Sequence, residues 1–386
     1  MEVQSNTILK AGTHSVDLFS GQSLYSQARE KINVIIKERN LSPGHKLPSI
    51  REISSAIGVT RGTAAKAIAQ MTNEGIFISK AGKGVYINKS TVTGEPVELQ
   101  TIYILSAGGS KENAEDYLIH NPFWNQILSG VRTALQNAGS NIRFRFSFLR
   151  NFLMEKDATP RGRRWNDIGF MILGDCKPSE LQEITQLTNS VVLVHGITRS
   201  SLVTSICADC AEGSEMLVDH LVGLGHRRIA FCGVIETQHR VNYEKYKGFR
   251  NAMQRNRLPV PDAYCRSCLF GLEEGYRVVQ PLLKLPEPPT AIVIFNDETA
   301  IGAMRAIRDA GLTIPRDISV TGFDNIATSS YIVPSLTTVS VKMSELGQIG
   351  VARLFEVHRS GECEKYMLKP ELIVRESTGP VKNGTP

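Results

Sequence analysis

Apolar positions near the start of the chain recur with a helical period. Ala28, Ile32, Ile35 and Ile36 lie on one face of a first predicted helix that ends near Leu41-Ser42-Pro43-Gly44. Ile50, Ile53 and Ile57 form the stripe of a second helix. Ser49 and Glu52 stand at its start with the spacing of a capping box, in which each side chain satisfies a backbone amide near the other. Gly58 follows where the chain must turn sharply, and Thr60 is a good N-cap for a third helix with Ala64, Ala67, Ile68 and Met71 facing inward. Ile76–Ile78 and Val85–Ile87 flank Lys80-Ala-Gly-Lys-Gly84, which reads as a β-hairpin with a basic, glycine-rich tip.

Beyond Thr101 the pattern changes. Thr101–Leu105, Ile168–Leu173, Val191–His195, Ile229–Cys232, Ala291–Phe295 and Ile318–Phe323 are short apolar runs suited to buried strands. Helical stripes lie between several of them. Ile127, Leu128, Val131, Ala134, Leu135 and Ala138 form one. Met216, Leu217, Leu221 and Leu224 form another that stops at Gly225, and Ile301, Met304 and Ile307 form a third that stops at Gly311. Strand–helix alternation predicts an α/β class with doubly wound parallel sheets, and nearly 280 residues of it, roughly two domains' worth, suffice for two lobes with a cleft between them. The expected organisation is a polar tail over 1–21, a winged helix-turn-helix unit over 22–88, a linker over 89–99, a two-lobed unit over 100–379 and a tail over 380–386.

Charge sharpens the reading of the first unit. The chain's formal net charge is +6, yet between Pro43 and Lys89 the seven basic residues Lys46, Arg51, Arg61, Lys66, Lys80, Lys83 and Lys89 face only Glu52 and Glu74. A local excess of this kind suits a polyanion, although a solvated basic face has the same composition. Two helices joined by a short Gly-containing turn make a helix-turn-helix, whose second helix enters the major groove of DNA with its N-terminal residues leading. Those residues are Thr60, Arg61, Gly62 and Thr63. Arg61 can donate two bonds to a guanine edge, Thr63 can meet a phosphate or a base, and Lys66 one turn on suits a phosphate. Lys80 and Lys83 at the hairpin tip suit phosphates as well.

Leu47-Pro-Ser-Ile-Arg-Glu52, Gly58-Val-Thr-Arg61, Glu74-Gly75-Ile76 and Gly82-Lys-Gly84 together resemble the GntR family of bacterial regulators across nearly all of 24–87. That resemblance implies operator-DNA contacts by Ser49, Arg51, Arg61, Thr63 and the wing glycine Gly82. The chain departs from the family at Ala65, where an arginine is usual.

The second unit resembles the effector domain of the LacI/GalR repressors, itself similar to periplasmic sugar-binding proteins. The carriers are Asn121-Pro-Phe-Trp124, His220–Ala230, Pro289–Asp297, Ile314–Asp324, Pro334–Val339 and Glu371–Ser377. The combination of a GntR head with this sensor resembles the arrangement of the bacterial arabinose repressor. The resemblance places Phe123, Trp124 and Phe270 in a pocket as rings for a sugar's C–H face. Asn296 and Asp324 lie just past strand ends, where carboxamide and carboxylate can take hydroxyl pairs. Lys245 stands where the family usually has arginine and loses the bidentate fork, which Arg240 can supply from the same loop. His195 stands where aspartate is frequent, and it also reads as a satisfied strand-end histidine. Asp297 reads as a helix N-cap.

The partners expected are double-stranded operator DNA, a small effector of carbohydrate type, and a second copy in a homodimer. A nucleoside or purine-like effector is the alternative. An enzyme, or a binding protein with a protein-contacting head, is a more distant one. No GxxxxGK[ST] loop, HExxH pair or Ser/His/Asp set is present, so neither catalysis nor a cofactor is expected. The N-terminal stretch lacks an apolar run and no segment approaches the ~20 apolar residues of a membrane span, which predicts a cytoplasmic protein with reduced thiols at its seven cysteines. Cys207-x-x-Cys210 and Cys265-x-x-Cys268 have half-site spacing for zinc, but extended segments would point i and i+3 to opposite faces, so no metal is expected. The basic run Arg161–Arg164 reads as a solvated loop.

Overall fold

In the computed structural model, described residues span 24–382 with breaks at 40, 42–43, 74–75, 81–83, 88–97, 110–112, 138–141, 156–164 and 238. The chain divides into two compact units, the first ending at Glu98 and the second running from Leu99.

The first unit holds α1 (Leu24–Glu38), α2 (Ile50–Ile57), α3 (Arg61–Asn73) and a hairpin of β1 (Phe77–Lys80) and β2 (Gly84–Ile87). Its core is most of the predicted stripes, with Ala28, Ile32, Ile53, Ile57, Ala64, Ala67 and Met71 all buried, whereas Ile50, expected in the stripe of α2, is the helix's first residue and is 39% exposed. The capping box is formed: the Ser49 amide donates to Glu52 Oε2 at 2.7 Å and the Glu52 amide donates to Ser49 Oγ at 3.3 Å. Gly58 closes α2 in the left-handed region at φ 71°, which a side chain would disfavour. Thr60 then caps α3, its Oγ1 accepting from the Thr63 amide at 3.1 Å. The hairpin pairs Phe77 with Ile87 and Lys80 with Gly84.

The second unit has two lobes. In the first lobe, β3 (Thr101–Ser106), β4 (Arg143–Phe148), β5 (Ile168–Leu173), β6 (Val191–Val194), β7 (Thr204–Ala208) and β13 (Lys365–Leu368) form one parallel sheet in the order β13-β7-β6-β5-β3-β4. The helices α4 (Ala114–His120), α5 (Pro122–Asn137), α6 (Leu149–Glu155), α7 (Pro178–Thr185) and α12 (Met343–Ser360) belong to this lobe. In the second lobe, β8 (Ile229–Gly233), β9 (Cys265–Ser267), β10 (Ala291–Ile294) and β11 (Ser319–Thr321) form a parallel sheet in the order β11-β10-β8-β9, packed by α8 (Cys210–Gly223), α9 (Arg240–Arg255), α10 (Leu272–Leu283) and α11 (Asp297–Asp309).

The chain crosses between the lobes three times: from β7 into α8, from β12 (Thr338–Ser340) into α12, and from β13 into β14 (Glu371–Ile373). The last two crossings pair antiparallel as β12 and β14. The predicted strands recur within a residue or two at their ends. Six others, β4, β7, β9 and β12–β14, have no counterpart in the sequence reading. Arg143-Phe-Arg-Phe-Ser-Phe148 alternates because it is an edge strand with one face outward, so it lacks the continuous apolar run of a central parallel strand. Pro380–Lys382, expected in a terminal tail, lie on the second lobe, where the Val381 amide donates to the Leu224 carbonyl at 3.0 Å and Lys382 Nζ meets Asp317 Oδ1 at 3.2 Å.

Candidate functional site

The first candidate surface is the start of α3. Thr60, Arg61, Gly62 and Lys66 are exposed, as are Ser49 and Arg51 at the start of α2. Two of the expected contact residues already have structural partners. Ser49 is held by its capping box, and the hydroxyl of Thr63 lies 2.9 Å from that of Thr60, which orients it along the helix start. The side chain of Lys80, and Gly82 and Lys83 entirely, lie outside the described residues.

The second candidate is the cleft between the lobes, at the carboxyl ends of both sheets. This is the place where parallel α/β folds bind ligands, because strand ends there release their chains into loops. Lys245, on α9, is only 2% exposed. Its helix can sit close because Gly248, where an added Cβ would lie 2.1 Å from the Ala211 carbonyl, lets α9 press onto α8. Lys245 Nζ donates to Asp324 Oδ1 at 3.1 Å and to the Phe295 carbonyl at 2.9 Å, and stands 4.1 Å from the centroid of the Phe323 ring. Burial pushes the Asp324 carboxyl up, and the Lys245 ammonium opposes this. Asp324 has φ 102°, a conformation that a non-glycine residue holds only under constraint.

Asn296, expected as a group for a ligand's hydroxyls, takes the capping role expected of Asp297. Asn296 is the N-cap of α11, its Oδ1 accepting from the Thr299 amide at 2.8 Å, so that oxygen is committed to the helix. Asp297 is the first residue of the helix rather than its cap. It is fully buried, accepts from the Ile326 amide at 2.8 Å and from the Thr338 hydroxyl, and is pushed up to about 8, first by burial and then by Asp324.

His195 follows β6 with φ 53° and is 8% exposed. Its ring lies 4.7 Å from that of Phe123 and 6.1 Å from that of Trp124, whose own rings meet edge-on at 4.8 Å. Its Nδ1 has no hydrogen-bond partner among the described residues, so it is not the satisfied strand-end histidine that was one reading of the sequence. Burial, aided by the Lys245 charge, brings its pKa down to about 3, so the imidazole is neutral near pH 7. Phe270 departs from expectation: it is 56% exposed, outside the buried set, with its ring 4.9 Å from that of Phe295. Arg240 does not replace the missing arginine fork beside Asp324. It is the first residue of α9, and its Nη1 donates to the Ile197 carbonyl of the other lobe at 3.1 Å.

Asp175, two residues past β5, was missed by the sequence reading. Its Oδ1 accepts from the Ile197 amide at 3.1 Å and its Oδ2 from the Val241 amide at 2.8 Å. Burial pushes its pKa up against those bonds and the Arg240 charge. A polar residue just past a predicted strand end was the available signal, the same one that selected Asn296 and Asp324. The reason given against a Cys207–Cys210 contact also fails. Cys207 lies one residue before the end of β7 and Cys210 begins α8, so the two do not share one extended segment, and the neighbouring Cys210 thiol together with burial raises the Cys207 pKa. Among the described residues no group of three or more His, Cys, Asp and Glu is placed to hold a metal ion, and no helix is long and apolar enough to cross a membrane. A cavity of about 110 Å³ lined by His226, Arg228, Thr290, Arg316 and Asp317 lies at the opposite, amino-terminal ends of the second sheet and contains none of the candidate residues.

Residues 24–87 match the family of bacterial regulatory proteins called gntR, and residues 218–378 match the periplasmic binding protein-like domain. The chain thus joins a GntR-type winged helix to a periplasmic-binding-protein-like domain. It is 32% identical over 216 residues to the "Probable HTH-type transcriptional repressor ExuR" of Bacillus subtilis, covering 55% of this chain and 65% of that one. It is 27% identical over 369 residues to the arabinose metabolism transcriptional repressor of Geobacillus stearothermophilus, covering 92% and 97%. Among solved structures, a LacI family transcriptional regulator from Enterococcus faecium with bound ribose matches 73% of this chain and all of its own, at 25% identity and a TM-score of 0.62.

Proposed function

We propose that this protein is a ligand-controlled bacterial transcriptional repressor. It reads operator DNA through α3 and the wing, and it binds a small carbohydrate-type effector between its lobes. The observation that carries the effector reading is the buried, neutral imidazole of His195, its Nδ1 unpartnered, beside the Phe123–Trp124 ring pair. Rings pack on the C–H face of a sugar, and a neutral ring nitrogen is a hydroxyl's partner. Across the cleft, the Lys245–Asp324 pair offers a cation and a carboxylate already in balance, as a neutral polyol requires. The relatives that are repressors, and the neighbour that holds ribose, support the same reading.

In this reading Arg61, Lys66 and Arg51 contact DNA, with Ser49, Thr60 and Thr63 setting the helix starts. The wing residues Lys80, Gly82 and Lys83 flank the groove. The protein acts in the cytoplasm as a homodimer on a palindromic site, whose symmetry matches its own. Leu269, Leu272, Tyr331 and Val333 of the second lobe expose apolar surface that a partner subunit would cover. Effector and operator then compete through their differential affinities for the conformations of the sensor.

The test is a thermal-shift panel of pentoses, hexoses, disaccharides, sugar phosphates and nucleosides, followed by operator binding with any hit. A true effector at about 100 times its dissociation constant adds about 2.7 kcal/mol, a shift of several degrees. A hit confined to nucleosides would replace the sugar reading. The absence of any hit would remove it and leave the DNA reading untouched.

A further inference from the structure

The two lobes are hydrogen-bonded to each other at one edge of the cleft, through groups that belong to the chain alone. The first amides of a helix have no acceptor within it and need one from outside. In α9 the N-cap residue is His239, and its side chain makes no capping bond. The acceptor comes instead from the other lobe: Asp175 Oδ2 takes the Val241 amide at 2.8 Å, one residue into the helix. Its second oxygen takes the Ile197 amide at 3.1 Å, and the carbonyl of the same Ile197 takes Arg240 Nη1 at 3.1 Å. The peptide groups on the two sides of Ile197 are therefore tied, one to the Asp175 carboxylate of the same lobe and the other to the Arg240 guanidinium of the second lobe. A carboxylate at a helix start also lies favourably in the field of the helix.

We propose that Asp175 is a positioning residue that caps α9 in trans, with Arg240 as its counterpart, and so latches the lobes closed before any effector enters. The proposal rests on the reading of the cleft as the effector site. Lys245 lies on the same helix, so the latch also fixes the helix that carries the Lys245–Asp324 pair. An effector that binds the closed form meets a site already formed. A chain without the latch binds it more weakly in proportion to the lost closed fraction, and its resting affinity for DNA moves to the value of the open form.

The chain's two tryptophans make this measurable without an effector. Trp124 lines the first-lobe wall of the cleft, 3.5 Å from where a Cβ on Gly174 would stand, next to Asp175. Trp165 packs against Phe152 and Phe170 within the first lobe. In the full chain carrying Trp165→Phe, acrylamide quenching of Trp124 should rise about twofold when Asp175→Ala is added, as the closed population falls. Arg240→Ala should give a smaller rise, and Asp175→Asn, which keeps the shape and one acceptor, an intermediate one. In the reciprocal background, Trp124→Phe, quenching of Trp165 should not change with Asp175→Ala. An unchanged Trp124, or an equal rise at both tryptophans, overturns the latch: the first denies opening and the second indicates general loosening. No effector enters the measurement, so failure of the sugar reading would appear in the thermal-shift panel and not here.

Discussion

The winged helix and the interlobe cleft present their candidate residues in opposite ways. At the start of α3, Arg61 and Lys66 stand in solvent, and the groups around them are committed only to shaping helix ends. In the cleft, Lys245, Asp324, His195 and Asp297 are buried, and the Lys245, Asp324 and Asp297 side chains are bonded to one another, to backbone or to the Thr338 hydroxyl. A surface that meets a large polyanion gains by keeping its cations hydrated and mobile until contact. A site for a small neutral molecule gains by having its polar groups dry and fixed beforehand, since buried electrostatics are stronger and need no reorganisation. The two regions should therefore respond differently to the same kind of substitution: the head in binding with little change in stability, the cleft in stability as well as binding.

The largest effect tests the cleft. Lys245→Met leaves the Asp324 carboxylate buried beside Asp297 without its cation, and should cost about 3–5 kcal/mol in denaturant or thermal unfolding of the sensor. A loss within experimental error would mean that the pair is as solvated as the head's charges, and the contrast would collapse. The next is a pH effect. His195 folds with its pKa near 3, below the unfolded value of 6.5. Between those values the unfolded chain binds the extra proton at this site, so His195 contributes a loss of stability of up to about 1.4 kcal/mol per unit as pH drops through that window, opposed by Asp297, whose raised pKa makes the folded chain bind the extra proton there. His195→Gln should remove the imidazole's contribution to the slope in that window. An unchanged slope would show that the imidazole is not desolvated.

On the head, Arg61→Ala should weaken specific operator binding by about 1–3 kcal/mol while moving stability by no more than about 0.5 kcal/mol, measured by titration and melting of the same sample. Ser49→Ala should cost about 1 kcal/mol through the capping box, visible in melting of the first unit without DNA. The smallest change is expected for Lys66→Ala, which should lower the slope of log affinity against log salt by about one and affect all DNA sequences alike. A sequence-dependent loss would move Lys66 from phosphate to base contact.

The contrast also explains which residues were legible. The capping box at Ser49 and Glu52, the turn at Gly58 and the cap at Thr60 involve residues within three positions of each other. Local chemistry dictates them, and the periodicity of Ile53, Ile57, Ala64, Ala67 and Met71 orients the exposed face by default. In the second unit the apolar runs revealed the central parallel strands, because burial on both faces requires them, and the strand-end rule found Asn296 and Asp324. The sequence alone thus determined the helix-turn-helix, the α/β class and the general location of the cleft, all of which follow from short-range spacing and hydrophobic period. Tertiary structure decided the rest. It chose Asn296 rather than Asp297 as the cap, left Phe270 exposed, brought Cys207 against Cys210, and set Asp175 against an α9 amide 66 positions away. Those outcomes depend on how two lobes and three crossings bring distant segments together, and on which buried polar group finds a partner at no more than about 3 Å.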